Sequence, residues 1–86
     1  MDRVIIDVRE PSEYARGHVD GAINIPPSEL MTGAKQLAGI PKETELILYC
    51  VSGSRSAFSA NILKEMGYTN VTNGINMGQV KAKYDI

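Results

Sequence analysis

The sequence LILYCVSGSRS, residues 46–56, decides how this chain is interpreted, because it places the only cysteine, Cys50, between an apolar run and a short polar loop. The apolar run has the length of a strand that is buried in a parallel sheet, and the residues after the loop have helical spacing. Cys50 therefore either packs at the end of a buried strand or acts as a nucleophile where a helix begins.

The loop after Cys50 has the composition of an anion-binding turn. It ends at Arg55, and the residues in between are small or uncharged: Val51, Ser52, Gly53 and Ser54. Gly53 permits a positive φ angle, so successive N–H groups can point at one centre, to which the N-terminus of the following helix adds partial positive charge. No carboxylate in the local sequence opposes a thiolate, which is the nucleophilic form of cysteine.

Ordinary packing is the alternative for this cysteine. Free cysteines are among the most buried residues, and a single one at a strand end is more often packed than reactive. A packed cysteine, however, requires neither a polar loop containing glycine nor an arginine at the start of a helix. The residues of the loop alone leave both interpretations open.

The composition bounds what the chain can do. Its 86 residues suffice for one domain, and a net charge of −1 with scattered Lys and Arg argues against nucleic acid as a partner. One cysteine and one histidine form neither an internal disulfide nor a four-ligand zinc site. We expect a monomer without a membrane span, since no apolar run reaches about eighteen residues. The N-terminus lacks the pattern of a secretory signal, which predicts a cytoplasmic location, or a periplasmic one if a leader has been removed.

Apolar runs alternate with helical patterns along the whole chain. This alternation predicts a single α/β domain over residues 1–86, with a mostly parallel central sheet and helices on both faces. The predicted strands are Val4–Val8, Ala22–Ile25, Glu45–Tyr49 and Tyr68–Thr72. The predicted helices run from Pro11 to Gly17, from a Ser28 cap through Leu37, from Arg55 to Met66, and within Ile75–Ile86. In the third helix, the apolar residues at helical spacing are Ala57, Phe58, Ile62 and Met66.

Other polar residues lie near the end of the first strand, at the edge where open α/β sheets bind ligands. Asp7 is expected to be a hydrogen-bonded strut, or else a neighbour of the active loop, and Arg9 is expected to form a local ion pair with Glu13. Both Asp7 and Arg9 are thus supporting residues. His18 lies in a turn and is interpreted as a structural hydrogen-bonding residue rather than as the base of a Cys–His pair.

Two stretches resemble the rhodanese family of sulfurtransferases. The first runs from Asp7 to Glu10 and from Glu13 to Pro26, and it is similar to the family's N-terminal signature of an aromatic residue, a spaced histidine, a Gly-Ala pair and an apolar strand. The second is the Cys50–Arg55 loop, which looks like the family's six-residue active-site loop. The likeness covers nearly the whole chain and is greatest to small single-domain members.

The resemblance implies a chemistry for each part of the loop. Cys50 would take a sulfane sulfur from a donor such as thiosulfate, become a persulfide, and pass the sulfur to cyanide or another thiol. The amides of residues 51–55 would hold the persulfide or the departing anion, and Arg55 would brace the loop or stabilise an anionic substrate. No metal or organic cofactor is implied. Related phosphatases and arsenate reductases place five residues between cysteine and arginine, whereas four stand here, and this narrower loop suits sulfur.

The chain departs from the family's pattern at two places that bear on function and fold. Val51 stands where many thiosulfate-using members carry a charged residue, which leaves two functions open: an enzyme acting on small donors, or a carrier that relays persulfide sulfur between proteins. Residues 73–77 match poorly to the Gly-Gly and aromatic ending that is common in the family. This mismatch predicts an irregular edge of the sheet.

Overall fold

The computed structural model describes residues 3–86, which form four strands and four α-helices in alternation. Met1 and Asp2, at the start of the predicted domain, lie outside the described residues. The strands are β1 (Arg3–Asp7), β2 (Ile23–Asn24), β3 (Glu45–Cys50) and β4 (Val71–Asn76). The helices are α1 (Pro11–Ala15), α2 (Pro27–Met31), α3 (Ser54–Glu65) and α4 (Met77–Tyr84), with a 3₁₀ turn at Lys35–Leu37.

The four strands form one parallel sheet in the order β2-β1-β3-β4. The predicted α/β class with a parallel sheet is therefore confirmed. Asp7 pairs with Tyr49 across β1 and β3, and Cys50 pairs with Asn76 across β3 and β4. Because parallel strands end at the same edge, the residues that follow β1, β3 and β4 meet around Cys50.

Side chains of β3 alternate between two cores, one on each face of the sheet. Leu46, Leu48 and Cys50 pack on the face that α2 and α3 cover. Ile47 and Tyr49 pack on the opposite face, where Val80 of α4 and Tyr14 of α1 complete the second core. The prediction of helices on both faces is confirmed. No helix within residues 3–86 is long and apolar enough to cross a membrane.

The predicted helix from Ser28 through Leu37 is wrong in its extent and its cap. α2 begins at Pro27, with Pro26 at the N-cap position, so Ser28 lies inside the helix. The helix ends at Met31 because Gly33 and Ala34 adopt positive φ angles of 110° and 47°, which a right-handed helix cannot continue through. Leu37 reaches the core from the separate 3₁₀ turn.

The fourth strand begins and ends later than the predicted Tyr68–Thr72. Tyr68 is buried in the first core, whereas β4 runs from Val71 to Asn76. Gly74 is an extra residue in β4: Leu48 pairs with Asn73 and Tyr49 with Ile75. A Cβ at Gly74 would lie 2.6 Å from Val80 Cγ2 and 3.0 Å from the Leu48 carbonyl oxygen, so glycine is required there. The irregular edge predicted for residues 73–77 is confirmed.

The remaining elements agree with the predictions more closely. α3 spans Ser54–Glu65, and α4 lies within the segment where a C-terminal helix was expected. β2 is limited to Ile23–Asn24, shorter than the predicted strand. The predicted apolar stripe of α3 is only partly correct: Ile62 and Met66 pack against the core, whereas Phe58 is 51% exposed. The fully buried side of α3 is formed by Ser56, Ser59, Ala60 and Leu63.

Candidate active site around Cys50

Cys50 is the last residue of β3 and is only 2% exposed, beneath the loop that leads into α3. Gly53 stands at the N-cap of α3 with a φ angle of 96°, a conformation that glycine adopts without strain. This turn directs the Gly53 N–H toward the sulfur, where it donates a hydrogen bond to Sγ over 3.1 Å. The sulfur therefore lies at the N-terminus of a twelve-residue helix, the end with partial positive charge.

The environment of Cys50 favours its ionised form. Burial opposes ionisation, but hydrogen bonds from the Ser56 side chain and from the backbone N–H groups of Ser56, Gly53 and Arg55 outweigh it, so the pKa of Cys50 lies below its ordinary value. Ionised cysteine is the nucleophilic species, and helix N-termini with nearby cations are its usual setting. The site therefore supports thiolate chemistry at Cys50.

Ser56 joins the sulfur to the edge strand, a connection that the sequence did not suggest. Its Oγ lies 3.5 Å from Cys50 Sγ, 3.2 Å from the Gly53 carbonyl oxygen and 2.5 Å from Asn73 Oδ1. Asn73 in turn donates from Nδ2 to the Gly53 carbonyl oxygen over 3.1 Å. One hydroxyl proton thus faces three acceptors, and β4 holds the loop from one side. A polar residue on the buried stripe of α3 is the signal that could have identified Ser56.

Arg55 is held by a residue from the other side of the sheet. Its Nη1 and Nη2 donate to Oε1 and Oε2 of Glu13 at 2.8 and 3.3 Å. The Glu13 Oε1 atom also accepts from the Glu10 N–H at 3.0 Å, within a capping box at the start of α1. The hydrogen bond from Arg55, followed by that from the Glu10 backbone, lowers the pKa of Glu13 to about 2. The predicted Arg9–Glu13 pair is wrong, because Glu13 pairs with Arg55.

Asp7 and Arg9 form a separate buried cluster. Arg9 Nη2 donates to Asp7 Oδ2 at 2.7 Å and to the Gly17 carbonyl oxygen at 2.6 Å. The Tyr49 hydroxyl donates to Asp7 Oδ2 over 2.9 Å and accepts from the Val19 N–H over 3.0 Å. Burial, the largest cause, raises the pKa of Tyr49 to about 12. Tyr49 and Cys50 point to opposite faces of the sheet, so this cluster lies behind the strand and not beside the thiol.

The other residues singled out in the loop form its outer surface. Ser52 and Ser54 are exposed, with their hydroxyl oxygens 3.3 Å apart, and Val51 is 58% exposed. His18 stacks on the Tyr14 ring with centroids 3.7 Å apart, and its Nδ1 lies 2.9 Å from the Tyr14 carbonyl oxygen. This arrangement gives His18 structural contacts. The structure thus brings Cys50, Gly53, Arg55 and Ser56 together and separates Asp7 and Arg9 from them.

Comparison with known proteins places this fold and site in a family. The rhodanese-like domain family model matches residues 1–76, and the chain belongs to this family. Among solved structures, a rhodanese with anions from Escherichia coli superposes with a TM-score of 0.80 at 38% identity, covering 91% of each chain. The resemblance seen in the signature and in the active-site loop is therefore confirmed.

Several relatives of this chain have names that refer to sulfur transfer. The chain is 42% identical over 69 residues to the thiosulfate sulfurtransferase PspE of Escherichia coli, covering 79% of this chain and 64% of that protein. It is 38% identical over 80 residues to the thiosulfate:glutathione sulfurtransferase of Saccharomyces cerevisiae, covering 80% and 57%. A putative sulfur carrier protein, YrkF of Bacillus subtilis, is 36% identical over 69 residues, covering 80% and 36%. The chain thus spans less than two thirds of the length of these relatives.

Proposed function

We propose that this chain is a sulfurtransferase of the rhodanese type, in which Cys50 carries sulfane sulfur from a donor to cyanide or a thiol acceptor. The observation that carries the proposal is the position of Cys50 Sγ at the start of α3, 3.1 Å from the Gly53 N–H. A thiolate there is stabilised by donors that are already oriented before substrate arrives. The names of the relatives and the match to the family support the same activity.

The proposed reaction is a pair of displacements at sulfur. The Cys50 thiolate attacks the outer sulfur of the donor; the donor's S–S bond breaks, and its electron pair leaves with the departing group, which is sulfite when the donor is thiosulfate. An acceptor thiolate or cyanide then attacks the outer sulfur of the Cys50 persulfide, and the thiolate is restored. The amides of residues 51–55 hold the terminal sulfur between the two steps. Each step transfers a sulfane sulfur from one nucleophile to another, with no external oxidant or reductant required, and we therefore propose no cofactor.

A persulfide carrier is the second candidate. The exposed, uncharged Val51 beside the buried thiol favours it, because this surface offers an apolar contact to a partner and no charge to a small anion. In this role the same persulfide forms on Cys50, and a protein donor and a protein acceptor replace the small molecules. Lack of a nucleic-acid partner, a monomeric state and a cytoplasmic location stay predictions from the sequence.

Turnover and mass measurements on the same samples separate the two candidates. Thiosulfate:cyanide activity is measured for the intact chain and for Cys50→Ser, and mass spectrometry follows treatment with thiosulfate or glutathione persulfide. Turnover with a mass gain of one sulfur on Cys50, both absent in Cys50→Ser, supports the enzyme. The same gain without turnover supports the carrier. An intact chain that gains no sulfur from either donor contradicts both.

A further inference from the structure

The rim of the Cys50 loop, formed by residues 51–55, contributes one charged side chain, that of Arg55, and this side chain is already paired with Glu13. Both terminal nitrogens of its guanidinium donate to Glu13, one to each carboxylate oxygen. The loop residues around it, Val51, Ser52 and Ser54, are exposed and uncharged. An anion that approaches the thiol therefore meets a guanidinium whose charge is balanced.

Glu13 is held in place independently of Arg55. Its Oε1 accepts from the Glu10 N–H in the capping box, and α1 begins at Pro11 directly after that residue. The capping box orients the carboxylate toward Arg55, so the pair does not depend on two free side chains meeting. The pKa of Arg55 is raised, mainly by the hydrogen bond to Glu13 and also by the charges of Glu13 and Cys50. Arg55 is thus electrostatically coupled to the carboxylate and to the sulfur.

Sulfur donors differ in the negative charge that they bring to this rim. With thiosulfate, a thiolate of charge −1 attacks a dianion, and the products are a persulfide anion and a sulfite dianion. With an organic persulfide in its neutral form, the thiolate attacks the outer sulfur; the S–S bond breaks, a thiolate leaves with the electron pair, and the proton stays on the new Cys50 persulfide. The first encounter therefore gathers three negative charges and the second only one. Uncompensated positive charge assists the first far more than the second.

We propose that Glu13 is a positioning residue that sets the charge preference for the donor: by balancing Arg55, it makes the site favour sulfur donors of low negative charge, such as organic persulfides, over the thiosulfate dianion. The inference rests on the proposed sulfurtransferase function and identifies the donor class for it. With Val51 uncharged and Arg55 paired with Glu13, the loop presents no unpaired charged side chain to a donor. Glu13 acts through Arg55 and needs no contact with the donor.

The charge at the rim can be measured in the intact chain without any sulfur transfer. Cys50 is alkylated with iodoacetate, an anion, and with iodoacetamide, its neutral analogue, and the ratio of rate constants is compared with that of a neutral model thiol such as N-acetylcysteine amide. The amides and the helix N-terminus at Cys50 favour the anionic reagent modestly whatever the state of Arg55, so a balanced Arg55 predicts a ratio no more than about tenfold above that of the model thiol. A ratio more than about tenfold higher shows positive charge beyond that of the amides and overturns the proposal.

Glu13→Gln tests the residue itself. The glutamine oxygen can still accept from the Glu10 N–H and from Arg55 Nη1, so the variant removes the charge together with the longer hydrogen bond from Nη2. The donors are thiosulfate and methanethiosulfonate, which carry the same transferable sulfur but two charges and one. We expect the kcat/KM ratio of thiosulfate to methanethiosulfonate to rise roughly tenfold, together with the iodoacetate to iodoacetamide ratio. Equal changes for both donors indicate a structural role and overturn the proposal.

Glu65→Gln is the matched control, because it removes the same charge at the far end of α3, roughly 15 Å from Arg55 at 1.5 Å per residue. It should leave both ratios unchanged, and a shift equal to that of Glu13→Gln also overturns the proposal. Should neither donor support turnover in any variant, the proposed function fails, while the alkylation ratios still decide the role of Glu13. Should Glu13→Gln fail to fold, the ratio in the intact chain decides it.

Discussion

Two arginine–carboxylate pairs lie near the carboxyl edge of the sheet, and burial separates their roles. The Asp7–Arg9 side chains are 0% and 11% exposed, whereas those of Glu13 and Arg55 are 26% and 36% exposed. The first pair is enclosed and makes further hydrogen bonds to Tyr49 and Gly17. The second faces solvent beside the thiol. The same chemical pair is therefore enclosed by the fold in one place and open to solvent beside the candidate site in the other.

The two pairs differ because water can solvate the charges of the exposed pair but not those of the buried pair. A buried charge that loses its partner has no solvent to replace it, so breaking an enclosed pair is costly. An exposed pair gains little free energy of folding, because water and salt screen both charges. An exposed pair still determines the net charge that an approaching anion encounters. The following variants test this contrast, from the largest expected effect to the smallest.

Asp7→Asn should have the largest effect on folding. It leaves the Arg9 guanidinium buried without its counter-charge, which we expect to lower the free energy of unfolding by about 3–5 kcal/mol. Urea denaturation at neutral pH measures the change, and Asp20→Asn, at an exposed turn, is the matched control. A loss no larger than that of the control would mean that burial does not distinguish the two pairs.

Tyr49→Phe should have an intermediate effect within the same cluster. The ring keeps its packing, but Asp7 loses a donor and the buried Val19 N–H loses its acceptor. Leaving such a group unpaired costs about 1–3 kcal/mol, again measured by urea denaturation. Tyr84→Phe, at the half-buried end of α4, is the control. If the two substitutions lower the free energy of unfolding equally, the hydroxyl of Tyr49 does not stabilise this cluster.

Ser56→Ala tests the polar network at the active-site side of β3. Losing the Ser56 hydroxyl should raise the pKa of Cys50 and slow alkylation at neutral pH by roughly five- to tenfold, the worth of about 1 kcal/mol. The pH dependence of alkylation measures both effects. Ser59→Ala is a close control: its hydroxyl is buried on the same helix and has no hydrogen-bond partner within residues 3–86. Equal pH profiles of alkylation for the two variants would show that the Ser56 hydroxyl does not stabilise the Cys50 thiolate.

Glu13→Gln should have the smallest effect on stability, and the effect should depend on pH. The folded-state pKa of Glu13, about 2, lies below its ordinary 4.5. A lowered pKa stabilises the fold above the ordinary value, and this contribution disappears as pH falls through 4.5 toward 2. The difference in unfolding midpoint between the intact chain and the variant should therefore shrink over this range. A constant difference would show that charge is not its source.

The sequence was sufficient for elements whose pattern is local. β1, β3 and α3 were predicted to within a residue or so, because apolar runs and the Gly67 stop define them. β4 was misplaced because its pairing depends on β3 and on a bulge at Gly74, and strand preference depends on such context. The residues from Tyr68 to Thr72 favour strand structure when they are considered alone, so the prediction placed the strand there. In the structure Tyr68 packs in the core and β4 begins at Val71.

The candidate site shows the same limit. The Cys50 loop could be identified from its own residues, since cysteine, glycine and arginine follow one another in six positions. Glu13 and Asn73 could not, because Glu13 lies 42 positions from Arg55 and Asn73 lies 20 positions from Gly53. Only the order of strands brings them to the loop from opposite sides. The assignment of Glu13 to Arg9 was wrong for this reason: proximity in sequence suggested the nearer arginine.

The support of the loop from both sides of β3 has a consequence for how the protein folds. A partly folded chain with β3 and α3 formed, but lacking α1 or β4, would lack Glu13 or Asn73 at the loop. Contacts between residues far apart in sequence form only after the chain between them has closed. The thiol reactivity that we expect of Cys50 should thus appear late in refolding. A thiol reagent added at intervals would then report when assembly is complete, without any attached label.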